Sequence, residues 1–223
     1  MLITLTYTGN LFATQKDPKQ ERPNKKAPHV HSIRKTFHAQ LKRHWDNDPF
    51  LSTYEDTPED FDLGIVERFQ KALNDPSAKK TREKRLSEFI PDRHRVKEYR
   101  FLPLVRTEWG LQCELDIVFL RKNPPGSLLQ AGDIDNRIKT LLDALRMAQN
   151  EQELKDNELP DDGEDPFYCL LEDDQLVSRL NIETDRLLEI EEQGQNDPSW
   201  AKLLIRASVR PIRTDIFNVA FVS

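Results

Sequence analysis

The chain has 223 residues, 37% hydrophobic and 32% charged, a balance that suits one domain with a buried core and excludes a wholly disordered chain. Its net charge of −6 is unevenly spread: residues 1–110 carry 21 Lys and Arg against 16 Asp and Glu, a net +5, together with all five histidines. Residues 111–223 carry 12 against 23, a net −11. No apolar run approaches the roughly 18 residues of a membrane span, and two cysteines without CxxC spacing, Cys113 and Cys169, make no disulfide framework, so a soluble cytoplasmic protein with reduced thiols is expected.

Residues 2–7, LITLTY, are β-branched and alternate like a strand, closed by a turn at Gly9 and Asn10. Residues 15–29 hold three prolines and five Lys or Arg and read as a basic arm. In VHSIRKTFHAQLKRHW the four-residue spacing of Ile33, Phe37 and Leu41 predicts an amphipathic helix with basic outer faces. The arm and helix supply candidate contacts to a phosphate backbone in Lys25, Lys26, Arg34, Lys35, Lys42 and Arg43; the competing reading is a solvated basic face. An acidic, proline-broken loop is expected over 46–62, a short helix over 63–73, and a second basic helix over 77–89. Strands follow at 96–105 and 111–121, the second placing Cys113, Leu115, Ile117 and Phe119 on one face. After a helix opened by GDIDN comes an acidic segment, 151–165, with eight acids and one lysine, expected to be a mobile loop. A short apolar run, an acidic turn, a strand from Leu176 to about Thr184 and a strand at 201–213 complete an α/β or α+β pattern with a mixed sheet of four to five strands flanked by helices.

Chemistry concentrates in two stretches. In GDIDNRIKTLLDALR, Ile138, Leu141, Leu142 and Leu145 form an apolar stripe, while Asp135, Lys139, Asp143 and Arg146 share a neighbouring one. Structure alone accounts for this: Asp135 as N-cap, Asp133 just outside the helix start, and i,i+4 ion pairs through Lys139. In LLEDDQLV, however, Glu172, Asp173 and Asp174 crowd together before a strand, where like charges repel unless a cation holds them. If that strand lies beside the one preceding the helix, Asp173 is expected near Asp133 and Asp135. Such an all-oxygen site favours Mg²⁺ or Mn²⁺ over zinc and suits phosphodiester hydrolysis, with Lys139 at the phosphate. The scattered histidines match no zinc spacing, and no nucleophile elbow is present.

The pattern D-x-D-N-x-x-K with x-x-x-D-A-L, here DIDNRIKTLLDAL, followed later by LEDDQLV, resembles the RusA family of Holliday-junction resolvases. The resemblance covers mainly residues 111–213. It implies a homodimeric, Mg²⁺-dependent endonuclease, bacterial or phage-encoded, that resolves four-way DNA junctions by paired nicks. Asp133 and Asp135 match the family's first two metal-site acids and Lys139 its lysine, with Asn136, Asp143 and Glu172 as supporting residues. The third acid is Asp173 if Gln175 is aligned with the family's glutamine, and Asp174 if the paired aspartates are. Against compact members of the family the single domain, 1–223, carries insertions at about 46–92 and 147–168. A flap or fork nuclease and a non-catalytic binding module on the same fold are the competing functions.

Overall fold

The computed structural model describes residues 1–13, 26–56, 83–122, 133–154, 159–188, 199–215 and 218–222, with isolated helical positions at 67, 70, 73 and 74. In chain order the elements are β1 (Leu2–Asn10), α1 (Lys26–Asn47), α2 (Pro49–Thr53), β2 (Glu55–Asp56), β3 (Lys84–Arg85), α3 (Leu86–Phe89), β4 (Arg95–Val96), β5 (Tyr99–Val105), β6 (Leu111–Arg121), α4 (Asp133–Leu145), β7 (Phe167–Leu171), β8 (Val177–Arg186) and β9 (Trp200–Pro211). The architecture is mixed α/β. A four-stranded sheet runs β1-β9-β6-β8, antiparallel except for the β6–β8 pair, and a three-stranded sheet runs β4-β5-β7 with β5 and β7 parallel.

Alternation in β6 decides which way the large sheet faces. Cys113, Leu115, Ile117 and Phe119 are buried, and Glu114, Asp116, Val118 and Leu120 point outward. The inner face is covered by α1, whose Ile33, Phe37 and Leu41 are all buried as their spacing predicts, and by α4 through Ile138, Leu141 and Leu145. Burying each such side chain contributes about 1.5–3 kcal/mol. Among the described residues no helix packs on the outer face, whose β6 side chains are half-buried. No helix among the described residues is long and apolar enough to cross a membrane.

Several expectations change. The basic helix expected over 77–89 is instead, in its described part, an extended pair of residues followed by one helical turn. Lys84 and Arg85 sit opposite Asp56 and Glu55 in a two-stranded ladder, and cross-strand pairing of opposite charges competes with the helix there. Residues 63–73 and the basic arm up to Lys25 lie largely outside the described residues. The strand expected from 96 is a hairpin, Arg95–Val96 against Tyr99–Val105, turning through Lys97 at φ 51. The apolar run FYCLL is a strand of its own, β7, with every residue buried.

A second core lies between the small sheet and α1, where Tyr99, Phe101, Phe167 and Cys169 pack with Met147 and Leu154. His31 and His38 project into it from α1. The His31 ring stacks on Phe167 at 5.5 Å and meets Tyr99 edge-on at 5.1 Å. Nδ1 of His38 accepts the Tyr168 N–H at 2.9 Å, which leaves the proton on Nε2, 3.2 Å from the Gly163 carbonyl. Burial first, then the nearby Arg34 and Lys35, pushes His31 down to about 3; burial also lowers His29, His38, His44 and His94. These histidines fold neutral. Because the unfolded chain binds their protons below about pH 6.5 and the folded chain does not, stability is fully present above that pH and is lost as pH falls towards 3. For His31 each pH unit in that window costs up to about 1.4 kcal/mol. A melting temperature that fails to drop between pH 7.5 and 5, or drops equally in His31→Gln, would contradict this.

Candidate metal centre

Helix α4 begins at Asp133, three residues earlier than an N-cap at Asp135 would require. Asp135 therefore sits in the first turn, where a carboxylate meets the positive end of the helix dipole. Lys139 lies one turn on, its Nζ 3.1 Å from Asp135 Oδ2, with the two side chains 65% and 71% exposed. An exposed i,i+4 pair of this kind stabilises by only about 0.3–0.5 kcal/mol. Asn136 is half-buried, and its carbonyl accepts the Thr140 hydroxyl at 3.0 Å. The side chain of Asp133 is outside the described residues.

The second acidic stretch meets the opposite end of that helix. The Met147 N–H donates to the Leu171 carbonyl at 2.9 Å and Arg146 bridges to Leu171, so the turn following β7 is pinned at the C-terminus of α4. There Asp173 caps a short 3-10 turn, Oδ1 accepting the Gln175 N–H at 2.8 Å, and is half-buried; Asp174 is exposed. Partial burial, the hydrogen bond from Asp173 and the charge of Asp143 raise Asp174, while Arg146 lowers it. Glu172 turns away and accepts the Thr107 N–H at 2.8 Å. Asp143, the neighbour of Asp174, stands eight residues beyond Asp135, about 12 Å along the helix axis.

Within one chain, then, Asp173 and Asp174 stand by the C-terminal end of α4 and Asp135 stands in its first turn. Among the described residues no group of three or more His, Cys, Asp or Glu side chains is disposed around a metal position. The expected adjacency of strands is present, since β8 does lie beside β6. The convergence inferred from it is not. In a parallel strand–helix–strand crossover the helix runs against both strands, so the residues just before the second strand lie by the helix C-terminus.

The C-terminal end of α4 carries its own network. Asp143 Oδ2 is 2.8 Å from Lys26 Nζ and Oδ1 is 2.9 Å from Arg146 Nη2; Arg146 also makes two hydrogen bonds with Glu153, at 2.9 and 3.0 Å. Arg34 is fully buried, donating from Nε to the Arg146 carbonyl at 3.0 Å and from Nη2 to the Asp143 carbonyl at 2.8 Å. It is no contact for a DNA backbone. Lys35 pairs with Asp161 at 2.7 Å and Glu164 at 3.2 Å, and Lys42 Nζ donates to the Gly163 carbonyl at 3.1 Å. Residues 159–165 of the acidic loop are thus held on the basic face of α1. Of the six basic candidates, Arg43 is exposed, Lys26, Arg34, Lys35 and Lys42 are engaged as described, and Lys25 lies outside the described residues.

Sequence reasoning passed over one polar cluster, on the outer face of the large sheet. Arg179 Nη2 lies 3.1 Å from Glu114 Oε2 and 3.0 Å from Asp116 Oδ2; Asn181 donates to Asp116 Oδ1 at 3.2 Å, and Arg210 sits 3.4 Å from Glu114 Oε1. The signal was the alternation of Gln112, Glu114 and Asp116 between the apolar residues of β6. No protein-family model, no curated protein and no solved structure matches the chain.

Proposed function

We propose that this chain is a RusA-like endodeoxyribonuclease that cuts branched DNA as a homodimer, using Mg²⁺ or Mn²⁺. The observation that carries the reading is the D-x-D-N-x-x-K motif on α4: an acid and a lysine 3.1 Å apart, both open to solvent in the first two turns of a helix whose positive end favours phosphate. The lysine is free to exchange its carboxylate for a phosphate oxygen. Because Asp173 and Asp174 stand by the C-terminal end of α4 and Asp135 at its start, the reading draws Asp133 and Asp135 from one copy and Asp173 or Asp174 from another. Homodimerisation is thus part of the chemistry in this reading.

Cleavage of a synthetic four-way junction in Mg²⁺ tests it. The expected result is paired nicking by the wild type that falls about 10²–10³-fold in Asp135→Asn, the scale on which removal of one charge-stabilising group acts. A second reading follows from the separation of the acids: a non-catalytic module that binds branched DNA. Junction binding without cutting in Mg²⁺ and in Mn²⁺ would establish that reading and dismiss the nuclease. Forks and flaps cut in preference to four-way junctions would move the substrate class.

A further inference from the structure

We infer that the outer edge of β8 is where a second copy of this chain docks, strand against strand, on a two-fold axis through Asn181. β8 is ten residues long, and none of the ten is buried, whereas alternate residues of β6 and β9 are. One edge pairs with β6; among the described residues no strand pairs with the other. The strand carries neither proline nor lysine to blunt that edge, and Leu180 is 39% exposed. An open edge of this length recruits another strand.

The residues along the edge choose the partner. Arg179, Asn181, Glu183 and Asp185 share one face with the Glu114–Asp116 side of β6, and Leu180, Ile182 and Thr184 share the other. Antiparallel self-pairing with Asn181 opposite Asn181 sets Arg179 opposite Glu183 of the second copy, twice by symmetry. It also sets Leu180 opposite Ile182, twice. Opposite charges and apolar pairs directly across an antiparallel ladder each contribute roughly 0.2–1 kcal/mol. Arg179 is held in place over the sheet by Glu114 and Asp116, while Glu183 has no partner among the described residues. The product is one continuous eight-stranded sheet.

Asn181→Cys is the direct test. Residues opposite one another across an antiparallel pair have Cα atoms about 4.5–5.5 Å apart, inside disulfide range, whereas Cys113 and Cys169 are buried. Under mild oxidation Asn181→Cys should run as a covalent dimer and Arg179→Cys should not. Separately, Glu183→Arg should weaken dimerisation at least about tenfold in sedimentation, since it faces Arg179 of the other copy, and equimolar Arg179→Glu should restore it as a heterodimer. A monomeric wild type, or crosslinking of Ile182→Cys in place of Asn181→Cys, overturns the proposal. Neither readout needs nuclease activity, so a crosslinked dimer that cuts nothing sinks the function and leaves the interface standing.

Discussion

Asp135→Asn and Asp173→Asn chains, each inactive alone on a four-way junction, should regain nicking when unfolded together and refolded as a mixture. If the acids of one site come from two copies, a heterodimer of the two variants has one site with both acids replaced and one with both intact. Random assortment makes half of all dimers heterodimers, so about a quarter of the wild-type sites return. The products should be single nicks, because each active dimer holds only one working site and paired cuts need two. A site confined to one chain predicts no recovery at all, since every chain in the mixture lacks one acid. A mixture as inactive as its components, with heterodimers shown to be present, would remove the shared site.

The elements that could be read from sequence are those whose local pattern and tertiary role agree. β6 alternates perfectly because one face meets a core and the other is only half-buried, and α4 shows its stripe for the same reason. What escaped was long-range. The pairing of Lys35 with Asp161 and Glu164 joins residues more than 120 positions apart, and nothing local in KTFHAQLK says that its cations are neutralised by a distant acidic loop. Arg34 escaped for a related reason: a cation on an otherwise basic helix reads as solvated unless the carbonyls it caps are known. The two halves of the candidate site were legible as chemistry, and their placement was not. Adjacency of β6 and β8 followed from the sequence, yet the helix between them turns that adjacency into separation, an outcome fixed by the direction of a crossover.

Arg34→Ala should destabilise the chain by about 3–5 kcal/mol, which for a chain of this length lowers the melting temperature by on the order of 10 °C. The guanidinium is fully buried, and burial brings it down to about 10, so it remains charged at neutral pH. It donates to the carbonyls of Asp143 and Arg146 at the end of α4, where a helix leaves acceptors without partners of its own, and it faces Glu153 at 3.6 Å. Truncation leaves those acceptors dry, uncovers Glu153 and opens a cavity between α1 and α4. Arg34→Lys should recover only part of the loss, because a single ammonium cannot reach both carbonyls and the carboxylate in the geometry of the planar fork. Arg43→Ala, two and a half turns further along the same helix and exposed, should leave stability within about 0.5 kcal/mol. Denaturation of the three variants separates the assignments: if Arg34→Ala unfolded at the wild-type midpoint and instead lost affinity for DNA in proportion to one released counterion, Arg34 would be a phosphate contact and the packing of α1 on α4 would need another cause.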